Sequence, residues 1–234
     1  MFIFGDIGNT EVKICFYSSN KRLKKKIILK TNLINKKYLS KSFSSLYNKK
    51  LSINNIIFSS VVPRTYKIIK LYLEKNFKIK CYEIKDLNLN ELIKIYVNRK
   101  QIGSDRLCNA IAVNDNKNNY IVVDFGTATT FDVVIKNKYL GGIIAPGLSL
   151  SLKTLISNAS LIPSMKLKKV NNILAKNTIS AVRSGFYWGY IGLVQNIIDK
   201  ISKQTKKKYK IILTGGFSHL FLKSFKNKVF IDKD

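Results

Sequence analysis

Two short acidic turns, DIGNT at residues 6–10 and DFGTATT at residues 124–130, carry residue types that bind phosphate groups. In each turn a glycine lets the backbone approach a ligand closely, and the Asn and Thr side chains that follow can donate hydrogen bonds to phosphate oxygens. Asp6 and Asp124 can each bind a cation, directly or through water. One such turn alone is typical of an ordinary hairpin whose Asp and Thr cap local amides. The matched pair instead predicts a clamp on a polyphosphate from two sides.

A third acidic residue, Asp105, lies between the two turns in the sequence, within GSDR at residues 103–106. One interpretation is a catalytic carboxylate that accepts a proton, beside a guanidinium group of Arg106 that binds an anionic substrate. The other interpretation is a helix N-cap with a surface ion pair, and the spacing alone does not decide between them. Tyr96 is either a core aromatic residue or the wall of a pocket.

Two further segments place small residues at strand ends. GGIIAPG at residues 141–147 is predicted to break a strand with a turn before a helix, and a helix N-terminus favours anions. TGG at residues 214–216 ends another strand. A flat ring such as adenine could lie against the bare backbone there.

A long helix is predicted from about residue 178 to residue 203, with Thr178 as its cap. Apolar residues at helical spacing form one face of it: Val182, Phe186, Tyr190, Val194, Ile197 and Ile201. Gly185, Gly189 and Gly192 fall on nearly one side. Glycine weakens a helix by up to about 1 kcal/mol at each position, so we expect this side to pack closely on another backbone, within the chain or across a subunit interface.

Strand-like and helix-like spacings of apolar residues alternate along the chain. Strands are predicted at residues 2–7, 11–17, 54–62, 79–84, 120–125, 130–135, 139–144 and 209–214, with helices after Pro63 and at 148–157 besides the long one. This alternation indicates an α/β protein. Asp6 and Asp124 are 118 positions apart (124 − 6), about half of the 234 residues. We therefore predict two similar domains, residues 1–116 and 117–234, that face one another.

The chain is strongly basic, with 42 Lys+Arg against 13 Asp+Glu and a formal net charge of +29. Such a charge attracts polyanions. Only five of these residues are arginines, the side chain that reads base edges and grips phosphate bidentately. Lysine is also scattered beside many Asn, Ile, Tyr and Phe residues, all of which share A/T-rich codons. We therefore expect codon bias to account for the charge and any nucleic-acid binding to be non-specific; selected polyanion binding is the alternative.

The composition excludes several classes of protein. With 46% hydrophobic and 24% charged residues, the chain is neither disordered nor a collagen-like fibre. No stretch reaches the roughly 18 uninterrupted apolar residues that a membrane-spanning helix needs. Three cysteines far apart and one histidine argue against a zinc site or a His-based triad. We expect reduced thiols and a cytoplasmic protein without a membrane partner.

Six motifs in order resemble type III pantothenate kinase over nearly the whole chain: DIGNT, GSDR, VDFGTATT, GGIIAPG, NT at 177–178 and TGG. That family belongs to the acetate and sugar kinase, chaperone and actin superfamily. The resemblance implies two ribonuclease H-like domains with mixed sheets flanked by helices. It also implies phosphorylation of pantothenate from ATP, the first step of coenzyme A biosynthesis. Mg²⁺, a monovalent cation (K⁺ or NH₄⁺) and a homodimer are implied as well.

The resemblance also assigns roles to individual residues. It implies that Asp105 accepts the proton of the pantothenate hydroxyl, that Asp124 binds the monovalent cation, and that Asp6 lies nearest Mg²⁺ through the phosphates. The implied ATP-binding residues are Asp6, Ile7, Gly8, Asn9, Thr10, Glu11, Val12, Lys13 and Thr127. The implied pantothenate-binding residues are Tyr96, Gly103, Ser104, Asp105, Arg106 and Thr178, the last of them in the partner subunit's pocket.

Two features depart from the family pattern. Arg99 and Gln101 stand where the family more often has Pro and Glu, at the mouth of the implied pocket. We also expect the second domain to lack the closing helix that the family usually has after the last strand. Two alternatives remain open at this point. The chain could be a non-enzymatic relative that acts as a transcriptional accessory or nucleic-acid-binding factor, or it could phosphorylate another small hydroxyl compound.

Overall fold

The computed structural model describes residues 1–47, 52–222, 224–225 and 229–231. The strands in this part of the chain are β1 (Phe2–Ile7), β2 (Glu11–Tyr17), β3 (Leu23–Lys30), β4 (Asn55–Ser60), β5 (Cys81–Glu83), β6 (Lys94–Ile95), β7 (Asn119–Phe125), β8 (Ala128–Ile135), β9 (Lys138–Pro146), β10 (Lys210–Thr214) and β11 (Val229–Ile231). The α-helices are α1 (Lys36–Tyr47), α2 (Pro63–Phe77), α3 (Ser104–Val113), α4 (Leu148–Asn158), α5 (Thr178–Thr205) and α6 (Ser218–Phe221). Short 3-10 helices cover Thr31–Leu33 and Ile84–Asp86.

The chain divides into two compact units. The first unit consists of Met1–Glu91 with Asn98–Cys108, and the second consists of Leu92–Val97 with Asn109–Asp234. Helix α3 therefore contributes its first half to one unit and its second half to the other. The sequence-based boundary after residue 116 lies in the connection between α3 and β7 and stays a prediction.

A five-stranded mixed sheet forms the centre of the first unit, in the order β3-β2-β1-β4-β5. β1 pairs antiparallel with β2 and parallel with β4. In β2 every second side chain is fully buried, namely Val12, Ile14 and Phe16, as the period of a half-buried strand requires. Helices α1 and α2 cover this face through residues such as Phe43 and Leu73. The sheet thereby gains one apolar face and leaves Asp6 on the other.

The second unit repeats this strand order. Its six-stranded sheet runs β11-β10-β7-β8-β9-β6, with β7 antiparallel to β8 and parallel to β10. Read from β9 to β11, the sequence of pairings matches that from β3 to β5, and β6 is an additional edge strand parallel to β9. Helices α4, α5 and α6 pack on one face of this sheet through Leu148, Val194 and Phe221. The expected fold class, an α/β architecture with duplicated mixed sheets flanked by helices, is confirmed.

Helix α5 begins where the sequence predicted, but its cap is a different residue. The side chain of Asn177 accepts a hydrogen bond from the amide of Ser180 at 2.9 Å, and this is the geometry of an N-cap. The prediction of Thr178 as the cap is therefore wrong, because the preceding Asn already satisfies this amide. Thr178 is the first helical residue, and its side chain is exposed.

The buried face of α5 is rotated relative to the expected one. The side chains that it buries are Ser184, Tyr187, Tyr190, Val194, Ile198 and Ile201. Val182, Phe186 and Ile197 are only half-buried. In this helix the apolar spacing fits more than one stripe, and the sheet beneath selects the stripe that contains Tyr187 and Ile198.

The predicted turn at residues 141–147 is wrong. Strand β9 continues through this segment to Pro146. Gly141, with φ of +113°, takes up a register shift opposite Val133 and Val134, a β-bulge of the kind in which glycine is favoured. β3 and α1 were not predicted. In β3, Ile27 and Leu29 are buried among lysines, so its alternation is short and easily overlooked.

In the described part of the chain, no helix is both long and apolar enough to cross a membrane. Among the described residues, Cys15, Cys81 and Cys108 form no disulfide bond. The expectation of a missing closing helix concerns the end of the chain, beyond the described residues.

Candidate active site

The first acidic turn joins β1 to β2 as a tight hairpin. The amide of Gly8 donates to the carbonyl of Glu11 at 3.0 Å, and Asp6 pairs with Lys13 across the hairpin. Of the residues implied to bind ATP, Ile7 and Val12 are completely buried. Only their backbone groups can face a ligand. The side chains that are exposed for such contacts are Asp6, Asn9, Thr10, Glu11 and Lys13.

Thr31, which no sequence motif indicated, stabilises this turn through two hydrogen bonds. Its hydroxyl donates to the carbonyl of Gly8 at 2.8 Å, and its amide donates to the carbonyl of Thr10 at 3.0 Å. Thr31 is itself buried. Because both partners are backbone carbonyls, the contact fixes the shape of the turn. No local pattern around Thr31 marks this role, since it follows a lysine-rich strand.

Strand pairing places a second polar residue beside Asp6. Ser59 of β4 is the direct cross-strand partner of Asp6, so both side chains lie on the same face of the sheet. Ser59 is 6% exposed. Its hydroxyl faces Asp6 and the thiol of Cys108 in α3. Desolvation raises the pKa of this thiol to about 12, so Cys108 stays neutral and is not a nucleophile near neutral pH.

Asp6 and Asp105 lie close enough within the first unit for their charges to interact. Asp6 keeps contact with solvent, yet surrounding protein atoms desolvate it and raise its pKa above the ordinary value. The hydroxyl of Ser59 opposes this rise, the negative charge of Asp105 adds to it, and Lys13 opposes it again. The structure therefore brings together two of the three predicted carboxylates in one acidic cluster that a cation would stabilise.

Asp105 lies in the first turn of α3 and is not its N-cap. The helix begins at Ser104, and the first helical bond runs from the amide of Leu107 to the carbonyl of Gly103 at 3.2 Å. Oδ1 of Asp105 accepts a hydrogen bond from the amide of Arg106 at 2.8 Å. A Cβ atom on Gly103 would lie 2.4 Å from this oxygen. The absence of a side chain at residue 103 thus permits the observed orientation of the Asp105 carboxylate.

The neighbours of Asp105 in the GSDR segment differ in accessibility. Ser104 is completely buried, and its hydroxyl has no hydrogen-bond partner among the described residues. Ser104 can therefore offer a substrate only its backbone. Arg106 is half-buried. Its guanidinium group and the Asp105 carboxylate are the side-chain groups of this segment that could meet a substrate.

The second acidic turn joins β7 to β8 in the second unit. The amide of Gly126 donates to the carbonyl of Ala128 at 3.1 Å, and Thr127 at the tip is exposed. Thr129 is fully buried in the sheet, so its hydroxyl cannot reach a ligand in solvent. The hydroxyl of Thr130 is buried as well, so Thr127 is the threonine of this turn whose side chain is exposed.

Two glycines pack directly against the second turn. A Cβ atom on Gly147, the N-cap of α4, would lie 1.8 Å from the carbonyl oxygen of Thr127. A Cβ atom on Gly215, which has φ of +83°, would lie 2.4 Å from Oδ1 of Asp124. Asn109 of α3 also approaches Asp124, with its Nδ2 3.5 Å from Oδ2. The GGIIAPG and TGG motifs thus shape the surroundings of Asp124 and Thr127.

Tyr96 belongs to the second unit and is 60% exposed, so it is not a core aromatic residue. Its amide donates to the carbonyl of Tyr139 at 3.0 Å, which extends the pairing of β6 with β9. Nζ of Lys138 lies 5.5 Å from the centre of the Tyr96 ring. This arrangement leaves an aromatic face and a cation accessible to an anionic ligand.

The described residues contain no cluster of three or more His, Cys, Asp or Glu side chains that could hold a metal ion by themselves. Asp6 and Asp105 supply hard carboxylate oxygens, which suit Mg²⁺, but fewer than a protein cage needs. This donor set fits an ion that is carried mainly by the phosphates of a nucleotide.

Solved structures share this fold. A Campylobacter jejuni protein assigned to the Baf family of transcriptional activators superposes with a TM-score of 0.59 at 21% identity, covering 99% of this chain and 91% of that chain. The ethanolamine utilization protein EutJ of Carboxydothermus hydrogenoformans gives a TM-score of 0.54 at 11% identity, covering 98% of this chain and 83% of that chain. At these identities the likeness establishes the fold alone.

Sequence relatives are far more similar. A type III pantothenate kinase of Pelagibacter ubique is 57% identical over 234 residues, covering 100% of this chain and 94% of the relative. A type III pantothenate kinase of a Sulfurihydrogenibium species is 39% identical, covering 96% of this chain and 91% of the relative. The family model for type III pantothenate kinase matches residues 2–200. The chain therefore belongs to the type III pantothenate kinase family.

Proposed function

We propose that this protein transfers the γ-phosphoryl group of ATP to the hydroxyl group of pantothenate, giving 4'-phosphopantothenate in the first step of coenzyme A biosynthesis. Family membership implies ATP as the donor and pantothenate as the acceptor. The observation that carries the proposal for this chain is the placement of Asp105 beside Asp6 in the first unit. Phosphoryl transfer needs a carboxylate that orients the attacking hydroxyl close to a carboxylate that attends the metal-bound phosphates.

In this proposal Asp105 is the general base. Its Oδ1 is fixed by the amide of Arg106, so the carboxylate has a defined orientation before substrate binds. Arg106, Tyr96 and the backbone of Gly103 and Ser104 hold pantothenate, whose carboxylate suits a guanidinium group. The exposed Thr178 at the start of α5 contacts pantothenate in the partner subunit's site.

The two acidic turns bind the nucleotide and the cations in this proposal. Backbone amides and exposed side chains of residues 6–13 contact the phosphates, and Asp6 lies nearest Mg²⁺. Thr127 contacts the nucleotide, and Asp124 binds the monovalent cation, K⁺ or NH₄⁺. Desolvation, together with the charge of Asp105, raises the pKa of Asp6; this supports a role for Mg²⁺ there, because a cation stabilises the ionised carboxylates.

We further propose a homodimer, built on the exposed side of α5. Gly185, Gly189 and Gly192 are exposed, and no atom of the described residues outside the helix's own neighbouring backbone lies within 4 Å of a Cβ at any of them. Trp188 on the same side is 36% exposed. Large apolar side chains elsewhere in this unit are also open to solvent: Leu161, Ile173 and Leu174. A second copy of this helix could approach such a small-residue surface closely.

The site of action proposed for this enzyme is the cytoplasm, which is consistent with three free thiols. A transcriptional or nucleic-acid-binding role has less support. The likeness to a Baf family protein rests on 21% identity and concerns the fold. The carboxylates that a kinase needs are present as Asp6, Asp105 and Asp124.

Replacing Asp105 by Asn tests the proposed base. We expect pantothenate-dependent ADP formation to fall by roughly 10²- to 10⁴-fold, the usual contribution of a general base. The wild type should turn over ATP only when pantothenate is present, and faster with K⁺ than with Na⁺. Glu91→Gln, which changes an exposed carboxylate outside α5 and outside the proposed site, is the control and should keep wild-type turnover. Full activity of the Asp105→Asn variant would show that Asp105 is not the general base.

Replacing Gly103 by Ala tests whether the orientation of Asp105 matters. The new Cβ would lie 2.4 Å from Oδ1 of Asp105, so the carboxylate must turn away. Because the displaced atom is the end of a side chain, the free energy of unfolding in urea should change little while kcat falls at least roughly 10-fold. The same change in the Asp105→Asn background should have almost no further effect on kcat. If the two substitutions instead lowered kcat by independent factors that multiply in the double variant, the proposed coupling between Gly103 and Asp105 would be contradicted.

Replacing Gly215 by Ala tests the site around Asp124, with Gly216→Ala as its matched control. A Cβ at residue 215 would collide with Asp124 and the Phe125 backbone, whereas nothing lies within 4 Å of one at residue 216. We expect Gly215→Ala to raise the K⁺ concentration for half-maximal turnover and Gly216→Ala to leave it unchanged. The measurement is the turnover rate of each variant as a function of KCl concentration. Equal K⁺ dependence in both variants would argue against cation binding at Asp124.

Replacing Gly189 by Arg tests the proposed dimer. The bulky charged side chain would separate two copies of α5, so light scattering should report one chain mass for the variant and two for the wild type. Gln204→Arg, exposed near the end of the same helix, should stay dimeric. A wild-type protein that is monomeric at micromolar concentration, or a variant that remains a dimer, would refute this interface.

A further inference from the structure

Arg99 makes a contact that no proposed role of the site yet explains. Its side chain is half-buried. The Nη2 atom donates to the carbonyl oxygen of Lys85 at 2.8 Å and also to that of Leu87. These carbonyls belong to the Glu83–Leu87 turn, which follows the edge strand β5. The guanidinium group thus joins Arg99 to two residues of the first unit that lie 14 and 12 positions earlier in the sequence.

The Glu83–Leu87 turn is fixed independently of Arg99. The carboxylate of Glu83 accepts a hydrogen bond from the amide of Lys85 at 2.9 Å, and the amide of Leu87 donates to the carbonyl of Ile84 at 3.3 Å. Cys81, at the start of β5, pairs in register with Ile56 of β4. The carbonyls that receive the guanidinium group are therefore held by the central sheet.

Arg99 itself occupies the second position of a tight turn, Asn98–Gln101. The carbonyl of Asn98 accepts hydrogen bonds from the amides of Gln101 at 3.0 Å and Ile102 at 3.3 Å. Ile102 is buried, and the next two residues are Gly103 and the first residue of α3. The turn is thus connected to Asp105 by a short, ordered backbone. A shift of the turn would be passed on to the start of α3.

The other side chains of this turn do not tie it to the sheet. Asn98, Lys100 and Gln101 are exposed, and the Oδ1 atom of Asn98 accepts only locally, from the amide of Lys100 at 3.0 Å. Nε of Arg99 is buried without an acceptor among the described residues. Burying a guanidinium group with an unmatched N–H is unfavourable, so the two carbonyl contacts must hold the side chain in place against that cost.

We propose that Arg99 is a positioning residue for the phosphoryl transfer: it anchors the Asn98–Gln101 turn to the Glu83–Leu87 turn and thereby sets the position of Gly103 and Asp105. Arg99 acts through the backbone and touches no reacting atom. This inference rests on the proposed role of Asp105 as the base. The nucleotide turn is held separately, by Thr31, so the anchor serves the acceptor side of the reaction.

Replacing Arg99 by Ala provides the direct test. We expect kcat to fall roughly 10- to 100-fold, since an error of about 1 Å in the position of a catalytic group has effects of this size. The KM for ATP should change by less than about twofold because Thr31 still fixes the turn at residues 6–13. Lys100→Ala removes an equal charge from the same turn, but its side chain is exposed. It should behave as the wild type.

Two further variants separate positioning from general stability. Arg99→Pro loses the guanidinium group but pre-sets φ at the second position of the turn, where proline is favoured. It should recover at least part of the kcat that Arg99→Ala loses. Arg99→Lys keeps a cationic donor that can reach a carbonyl and should fall between Arg99→Ala and the wild type. The midpoint of urea unfolding, measured for all variants, reports any loss of fold.

The outcomes separate this inference from the proposed site. Wild-type kcat in Arg99→Ala, with Asp105→Asn inactive, would overturn the anchoring role and leave the base in place. Full activity in Asp105→Asn would overturn the proposed site itself. A fall in kcat matched by an equal rise in the KM for ATP, without recovery in Arg99→Pro or Arg99→Lys, would also overturn the inference, because it would mean a general structural effect.

Discussion

Repulsion between two carboxylates, Asp6 and Asp105, is the constraint on which the candidate site depends. Desolvation raises the pKa of Asp6 above its ordinary value, and the negative charge of Asp105 adds to this rise. A flexible chain would relieve the repulsion by moving the groups apart. Here the pairing of β1 with β4 holds Asp6, and the first turn of α3 holds Asp105. The fold thereby keeps two acidic groups close together in the first unit, where the proposed function places a metal-bound phosphate.

The two acidic turns have the same topology but are supported by different means. In the first unit the hydroxyl of Thr31 donates to the carbonyl of Gly8 and its amide donates to the carbonyl of Thr10. In the second unit, Gly147 and Gly215 bring backbone directly against the turn, at distances that no Cβ could occupy. A hydrogen-bonded support tolerates small displacements, whereas a steric support does not. A Cβ atom at Gly147 or Gly215 would therefore displace the second turn.

Local patterns predicted the parts of this site that depend on neighbouring residues. An apolar run followed by Asp and Gly was sufficient to place Asp6 and Asp124 at strand ends. The proximity of Ser59 to Asp6 depends instead on parallel pairing of strands 53 positions apart (59 − 6), which no local pattern specifies. The same holds for Thr31 and Arg99, whose partners are distant in sequence. Ser104 shows a further limit of prediction from sequence. The GSDR motif identifies this residue, but it does not reveal that the Ser104 side chain is buried and therefore inaccessible to a substrate.

The excess of positive charge can be reconciled with a small-molecule kinase on physical grounds. Charges on solvent-exposed side chains are screened over about 8 Å at physiological ionic strength. Most lysines are scattered along the chain, so each acts on its own surroundings and not on a shared ligand. Lys13 is different, because it pairs across the hairpin with Asp6, and its charge offsets a small part of the rise that desolvation causes in the pKa of that carboxyl group. Its charge favours both an ionised Asp6 and an approaching phosphate. Such a neighbour acts directly on Asp6, whereas the net charge of +29 is the sum of residues spread over the whole chain.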